Sequence, residues 1–372
     1  MTSIPLSKIP SDWVAITDYE SAAQQTLPAS TWAYLQGGCA RTPPNLDQQA
    51  FGRYRLLPRR LLDLQKGHTS IQLLDQQFEH PFILAPVAYQ QLFHSAGEQA
   101  TALAAHVTRT PMIISTLAST PLKTITQQTS TACWFQLYWQ RSREQSLALV
   151  RQAEATGHQT IVLTIDAPHM GVRDRERRAG FSLPPQISAV NLLKLAQTPT
   201  LQPHEHPLFD GLLGLAPTWA DVAWLVQQTQ LPIILKGILH PDDARQAITI
   251  GVKGLIVSTH GGRVLEDCID GLTMLPHIRD AVPVGTLILY DGGIRCGADA
   301  FKALALGANA ILIGRPYIYG LALAGALGVA HVIKLLREEL EVTMALCGTA
   351  TIEQITPQHL YACRANLAPL TL

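Results

Sequence analysis

The sequence predicts an α/β fold, a (β/α)8 TIM barrel with an N-terminal helical cap and a long loop insertion after strand 4. Three observations predict it. Short, near-continuous apolar runs recur eight times between residues 82 and 315, segments of helical length and amphipathic pattern lie between them, and the rhythm is never broken into two unlike halves. Strands that are apolar throughout belong to parallel sheets covered on both faces. Eight such units in series point to a closed barrel more than to an open doubly wound sheet.

In order, the runs are "FILAPVA" (82–88), "PMIIST" (111–116), "ACWFQLY" (132–138), "TIVLTID" (160–166), "LPIILKG" (231–237), "GLIVST" (254–259), "GTLILYDGG" (285–293) and "AILIGR" (310–315). The segment "SREQSLALVRQAEATG" opens on a serine able to cap, follows it with a glutamate and stops at glycine, the ordinary signals of a helix start and end. "HPDDARQAITIG" and "CGADAFKALALG" repeat an acidic or capping start and a terminal glycine. "VAHVIKLLREELEVTMALCG" has helical periodicity and covers the last strand. The reading is one domain over 1–372: a cap over 1–80 with a helix pair in "DYESAAQQTLPASTWAYLQGG", the barrel over 81–348 with its insertion at about 167–217, and a tail over 349–372. An insertion of that length is expected to be a lid or binding loop. Within it, "ISAVNLLKLA" (187–196) reads as a lid helix, since it lacks the basic face of an interfacial one.

Composition narrows the function classes. Basic and acidic residues balance at 28 each, which gives no general attraction to nucleic acid or anionic lipid. Six cysteines (Cys39, Cys133, Cys268, Cys296, Cys347, Cys363) are scattered without a CxxC, as expected of reduced thiols in a cytoplasmic protein. The start "MTSIPLSKIPSDW" has no secretory pattern, and "GLALAGALGVAHVI" is too short and glycine-rich to span a bilayer. No metal site is expected; "HEH" (204–206) reads as a solvated loop.

A barrel of this kind places its chemistry at the C-terminal ends of its strands. Those ends carry Pro86, Val87 and Ala88, then Ser115 and Thr116, then Gln136 with Tyr138, and Thr164 with Asp166, the last two pairs spaced to share a face. They continue with Lys236, with Ser258, His260 and Arg263, with Asp291, and with Gly314 and Arg315. Lys236 reads as a fixed cation that stabilises developing negative charge, against the alternative of a solvated lysine. Asp291, Gly292, Gly293 and Arg295, followed one strand later by Gly314 and Arg315, form the expected phosphate site, with backbone N–H groups and arginines as donors. His260 with Asp166 describes a base and the acid that orients it. Arg173 and Arg263 are suited to a substrate carboxylate. Together they describe oxidation next to a carboxylate.

The strings "FQLYW", "LTIDAPHMGVRDRERR", "LPIILKGILHPDDA", "STHGGR", "LYDGGIRCGADAFKALALGANAILIGRP" and "ELEVTMALCG" resemble the FMN-dependent enzymes that oxidise L-2-hydroxy acids, among them glycolate oxidase, lactate oxidase and mandelate dehydrogenase. The resemblance runs from "DYESAAQQTLP" to "ELEVTMALCG" and is weakest over 180–215. It implies FMN as cofactor and oxidation of an (S)-2-hydroxy acid to the 2-oxo acid. Reduced flavin would then be reoxidised by O2 or another acceptor, in a homo-oligomer expected to be a tetramer. It further implies His260 as base with Asp166 as partner, and Arg173 and Arg263 as carboxylate ligands aided by Tyr34 and Tyr138. Lys236 would lie at the flavin N1–C2 edge, and Ser115, Gln136 and Thr164 would bond the ring. Ser258 and the backbone of Pro86, Val87 and Ala88 would complete the flavin surround, with Ala88 facing N5. Asp291, Gly293, Arg295, Gly314 and Arg315 would hold the phosphate.

Four positions depart from the pattern: Thr259 replaces an asparagine, Leu117 and Val87 replace the tryptophan and threonine of glycolate oxidase, and Ala40 replaces an acidic residue. Leu117 and Val87 fall near the expected pocket and should alter specificity. The competing reading is a non-redox isomerase or aldolase that uses the same phosphate loops; it leaves Arg173, Arg263 and Tyr34 without a task.

Overall fold

The computed structural model describes residues 5–39, 46–168, 170–192 and 202–363. Eight parallel strands close into a barrel: β1 (Phe82–Leu84), β2 (Met112–Ser115), β3 (Cys133–Tyr138), β4 (Ile161–Thr164), β5 (Ile233–Ile238), β6 (Gly254–Val257), β7 (Leu287–Asp291) and β8 (Ala310–Ile313). Each neighbours the next, and β8 returns to β1 with Ile311 opposite Phe82 and Ile313 opposite Leu84. The eight predicted strands are all present. Most end before their apolar runs do, because residues such as Ala85–Ala88 and Ser258–Thr259 leave the ladder to build the upper rim.

Helices cover the ring as the sequence implied. Ser142 caps the helix Arg143–Ala155 by accepting from the Gln145 N–H, and Gly157 follows it at φ +83°. The helix Pro241–Thr249 is capped by the ring of His240, whose Nδ1 accepts from the Asp242 N–H. Gly348, at φ +83°, ends the long helix Arg315–Cys347. That helix is broken at Ala324 and Gly325. By length and composition it could cross a membrane, yet its apolar stretch is mostly buried in the protein, packed on the helix Gly97–Thr108.

The cap holds the predicted helix pair, Ile16–Thr26 and Ala29–Gln36. Its later part contains two features that no sequence signal gave. A small hairpin joins Ile71–Leu73 to Gln76–Phe78, and Tyr54–Leu56 pairs antiparallel with Leu360–Ala362, stitching the tail to the cap.

The insertion carries a helix at Asp174–Arg178 and a wide helical turn at Pro207–Leu212. The helix expected over 187–196 does not form across its described part, 187–192, which is turn and coil. Asn191 is drawn instead to the loop after β2: its Oδ1 accepts from the Leu122 N–H at 2.9 Å and its Nδ2 donates to the Thr120 carbonyl at 2.9 Å. Residues 193–196, like Ala40, lie outside the described residues. The ring of His206, in the "HEH" cluster, accepts from the N–H groups of Leu208 and Phe209.

Candidate active site

The C-terminal ends of the strands surround a cavity of about 740 Å³. Its wall contains Tyr34, Pro86, Val87, Ala88, Ser115, Gln136, Tyr138, Thr164, Arg173, Lys236, His260, Arg263, Asp291, Gly293, Arg295, Gly314 and Arg315. Of the predicted site residues only Asp166 and Ser258 are outside this wall, and each stands directly behind a residue that is in it.

Asp166 stands behind His260. The imidazole Nδ1 lies 2.9 Å from Asp166 Oδ1, so a proton on Nδ1 is held by the carboxylate and Nε2 is left for chemistry. His260 adopts φ +56° and its N–H donates to Ser258 Oγ at 2.9 Å. Room for the Asp166 carboxyl comes from Gly237 on β5, where the register slips between Lys236 and Ile238. Gly237 has φ +106°, and a Cβ there would lie 2.4 Å from the Asp166 Cβ. Gly237→Ala is therefore expected to displace Asp166, and a shift of about 1 Å in a catalytic group can cost ~10²-fold in rate. The anaerobic rate of flavin reduction in that variant checks it.

Electrostatics separate the two groups. Burial depresses the His260 pKa, and Lys236 and Arg263 push it the same way, outweighing the attraction of Asp166. Burial alone would raise the Asp166 carboxyl, but Lys236 and His260 overcome this and hold it below the ordinary carboxylate value. The result is a neutral imidazole against an ionised carboxylate, the state a general base requires.

Lys236, 4% exposed, ends the regular part of β5. Its Nζ donates to Ser258 Oγ at 2.8 Å and lies 3.1 Å from Asp291 Oδ2, while Ser258 Oγ donates to Asp291 Oδ1 at 2.5 Å. Burial opposes the ammonium, and Asp291 and Asp166 more than compensate, so its pKa is raised and the cation is permanent. Because the Asp291 carboxylate is the counter-ion of Lys236, only the main chain of this residue is left for an anion at the expected phosphate site.

Gln136 stands on β3, two strands from Lys236. Its Oε1 accepts from Ser115 Oγ and the Thr116 N–H, and its Nε2 donates to Thr164 Oγ1 at 3.0 Å, which presents a row of amide and hydroxyl groups to the cavity. The loops carrying Val87–Ala88 and Leu117 are fixed by Glu98, a buried carboxylate that sequence reasoning missed. Glu98 accepts from the N–H groups of Gln90 and Ser119 and from the hydroxyls of Ser119 and Thr120.

The arginines are less free than the sequence implied. Arg263 donates through Nη1 to the Tyr34 and Leu35 carbonyls at 2.6 and 2.7 Å. Arg315 reaches the carbonyls of Leu35, Gln36 and Gly261. Both therefore sit at the C-terminal end of the cap helix Ala29–Gln36, where orphan carbonyls favour cations. Burial, with Arg263 and Arg295 nearby, brings the Arg315 pKa down to about 10. Arg295 is paired with Glu20 at 2.9 Å. Glu176, another unforeseen acid, lies 3.4 Å from Arg173 and 3.7 Å from Arg263. Two guanidiniums facing one carboxylate leave a net positive charge for an anionic substrate. Tyr34 stacks on Phe181 at 4.5 Å, and burial raises its phenol to about 12, so its O–H remains a donor.

Val87 and Leu117 both line the cavity, together with Trp139, Ile165, Phe181 and Leu183. These apolar residues share the cavity with the arginines and His260.

Residues 23–362 match the family described as FMN-dependent dehydrogenase. An L-lactate oxidase of Alicycliphilus denitrificans is 46% identical, covering 95% of this chain and 97% of its own. An L-lactate oxidase of a Roseobacter species is 45% identical, covering 93% of this chain and 94% of its own. Among solved structures, a mandelate oxidase crystallised with (S)-2-phenylpropionate superposes with a TM-score of 0.85 at 40% identity, over 94% of this chain and 98% of that one. With the barrel, the His260–Asp166 pair and the arginine-lined cavity already placed by its own residues, the chain belongs to the FMN-dependent dehydrogenase family.

Proposed function

We propose that this enzyme oxidises an (S)-2-hydroxy acid with an apolar side chain to the 2-oxo acid, with FMN as cofactor and O2 as the final electron acceptor. The observation that carries it is the His260–Asp166 pair opening onto the same cavity as Arg173 and Arg263. L-lactate oxidases among the relatives support lactate as the first substrate to test. An isomerase or aldolase would leave the base and both guanidiniums idle.

The residues present fit FMN. The volume lies within the usual ligand range of about 300–1,000 Å³. Gln136, Thr164 and Ser115 offer hydrogen-bonding groups to a polar heterocycle, Lys236 supplies a buried cation for its reduced form, and Arg295 and Arg315 flank the anion end. Gly293, at φ +73°, turns against the main chain of Asp47 where a Cβ would lie 2.5 Å from the Asp47 carbonyl carbon. Only glycine allows that turn, which can aim its N–H groups at a phosphate. When bound, FMN supplies the two-electron acceptor for the substrate's α-carbon.

The protein's own groups do the rest. Arg173 and Arg263 bind the carboxylate, and the Tyr34 and Tyr138 hydroxyls donate to it. His260 Nε2 takes the proton the substrate loses as its hydroxyl carbon becomes a carbonyl, and Asp166 stabilises the imidazolium through Nδ1. Phe181, Trp139 and Leu117 limit water around the reacting atoms. Cytoplasmic residence and a homotetramer are part of the same proposal. They are supported by six unpaired cysteines and by the exposed apolar residues Leu103, Val107 and Leu327 on two helices that pack together.

The experiment is a panel of glycolate, L-lactate and (S)-mandelate, run with and without O2 while flavin absorbance and peroxide are recorded. The apolar wall predicts higher kcat/KM for lactate or mandelate than for glycolate, with peroxide formed in air. Equal or greater efficiency on glycolate overturns the specificity, and reduction without peroxide overturns the acceptor.

A further inference from the structure

Thr259, where the resembling enzymes have asparagine, has a partner that its own sequence neighbourhood does not reveal. Its hydroxyl donates to Asp47 Oδ2 at 2.7 Å. Asp47 lies in the short helix Leu46–Ala50 of the cap and is 7% exposed. Its carboxyl is pressed under the phosphate turn: a Cβ on Gly292 would lie 3.1 Å from Asp47 Oδ2. Asp47, Thr259, Gly293, Arg295 and Arg315 line one small cavity together. A buried carboxylate thus shares its space with the two arginines and the glycine turn that fit the phosphate of FMN. Like charges forced into one site cannot both be present without cost.

We propose that Asp47 couples flavin retention to pH: the FMN phosphate is accepted while Asp47 carries a proton and is opposed once Asp47 ionises. The inference rests on the flavin reading above. Asp291 faces Asp47 from the end of β7 and Asp270 from the turn before the helix Gly271–Ala281; Arg315 opposes them from the start of the last helix. Arg175, Arg295, Asp267 and Cys268 stand in the same cavity wall. Burial raises the Asp47 pKa first. Asp291 and Asp270 add to it, and together they outweigh the Thr259 hydrogen bond and Arg315.

The sign follows from linkage. A bound phosphate dianion raises the proton affinity of Asp47 further, so FMN binding takes up a proton between the carboxyl's value in the flavin-free protein and its higher value in the flavin-bound one. Through that range the Asp47 contribution makes affinity fall with rising pH, by at most about tenfold per pH unit for one proton.

The test is the dissociation constant of FMN for flavin-free protein, read by fluorescence quenching from acid to mildly alkaline pH, in wild type and Asp47→Asn. The second ionisation of free FMN is common to both titrations and divides out of their ratio. The expected result is several-fold tighter binding by Asp47→Asn at the alkaline end, with the two converging toward the acid end. A ratio that does not change with pH, or weaker binding by Asp47→Asn throughout, overturns the proposal and leaves Asp47 as a structural acceptor for Thr259. Should that variant not fold, Thr259→Val serves instead. Without the hydroxyl the carboxyl ionises at higher pH, so loss of FMN must move to higher pH, and an unmoved profile contradicts the coupling. Wild-type protein that binds no FMN at any pH refutes the flavin reading itself.

Discussion

Replacing His260 with alanine leaves FMN bound and slows anaerobic bleaching of the flavin by a 2-hydroxy acid about 10²–10⁴-fold, the usual contribution of a positioned base. Flavin is expected to stay because the side chains proposed to meet it, Gln136, Thr164 and Lys236, are held by one another and by Ser258 and Asp291. The His260 contact to that group is its backbone N–H, which alanine keeps. Position 260 is left-handed, at φ +56°, so His260→Asn is the companion variant: asparagine tolerates that backbone and is no base at neutral pH. The wild-type pH profile carries the same information. His260 is depressed by burial and its cationic neighbours, so it is neutral and active through neutral pH. The acid limb of kcat/KM therefore falls below the ordinary imidazole range. An acid limb above that range, or normal bleaching in both variants, refutes the assignment of His260 as base.

Arg263→Lys weakens binding of oxalate, a carboxylate mimic of the substrate, by about 10–100-fold, the value of one charge-assisted hydrogen bond of about 1.5–3 kcal/mol. Lysine keeps the charge but cannot reproduce a planar fork. Arg263 also donates to the Tyr34 and Leu35 carbonyls; Leu35 keeps Arg315 as a donor, but the Tyr34 carbonyl costs about 1–3 kcal/mol if left buried without one. The same variant is thus expected to lower Tm. Arg173 makes no such contact to the cap helix; its Nε donates to the Met170 carbonyl in its own loop. Arg173→Lys should match the loss of oxalate affinity with a smaller change in Tm. Unchanged oxalate binding in both variants contradicts the carboxylate clamp.

The barrel was legible because burial on both faces writes itself into a strand as an unbroken apolar run, and the run between residues 231 and 237 shows this directly. The candidate site was legible because ionisable groups such as Lys236 and His260 stand at one end of those runs, and they line one cavity. What stayed hidden were acids whose meaning depends on partners far along the chain. Glu20 pairs with Arg295 across 275 residues, Asp47 with Thr259 across 212, and Glu98 looks like any acid in the first turn of a helix until it gathers two loops. Across its described part, 187–192, the lid helix expected over 187–196 does not form, for a related reason. Local periodicity suggested it, but Asn191 bonds more favourably to the backbone around Thr120 and Leu122 than a helix surface would allow. Three-residue strands such as Tyr54–Leu56 and Leu360–Ala362 are too short to carry a periodic signal, and only their pairing defines them.

The claim on which everything turns is that one cavity holds FMN, the base and both guanidiniums around a single small acid. A crystal structure of the FMN-loaded protein with oxalate measures this most directly. The account predicts a carboxylate of oxalate within hydrogen-bond distance of Arg173 and Arg263, the His260 imidazole beside it, and the flavin ring against Gln136 and Lys236. Oxalate bound away from the arginines, or a flavin lying outside the ring of strand ends, contradicts it.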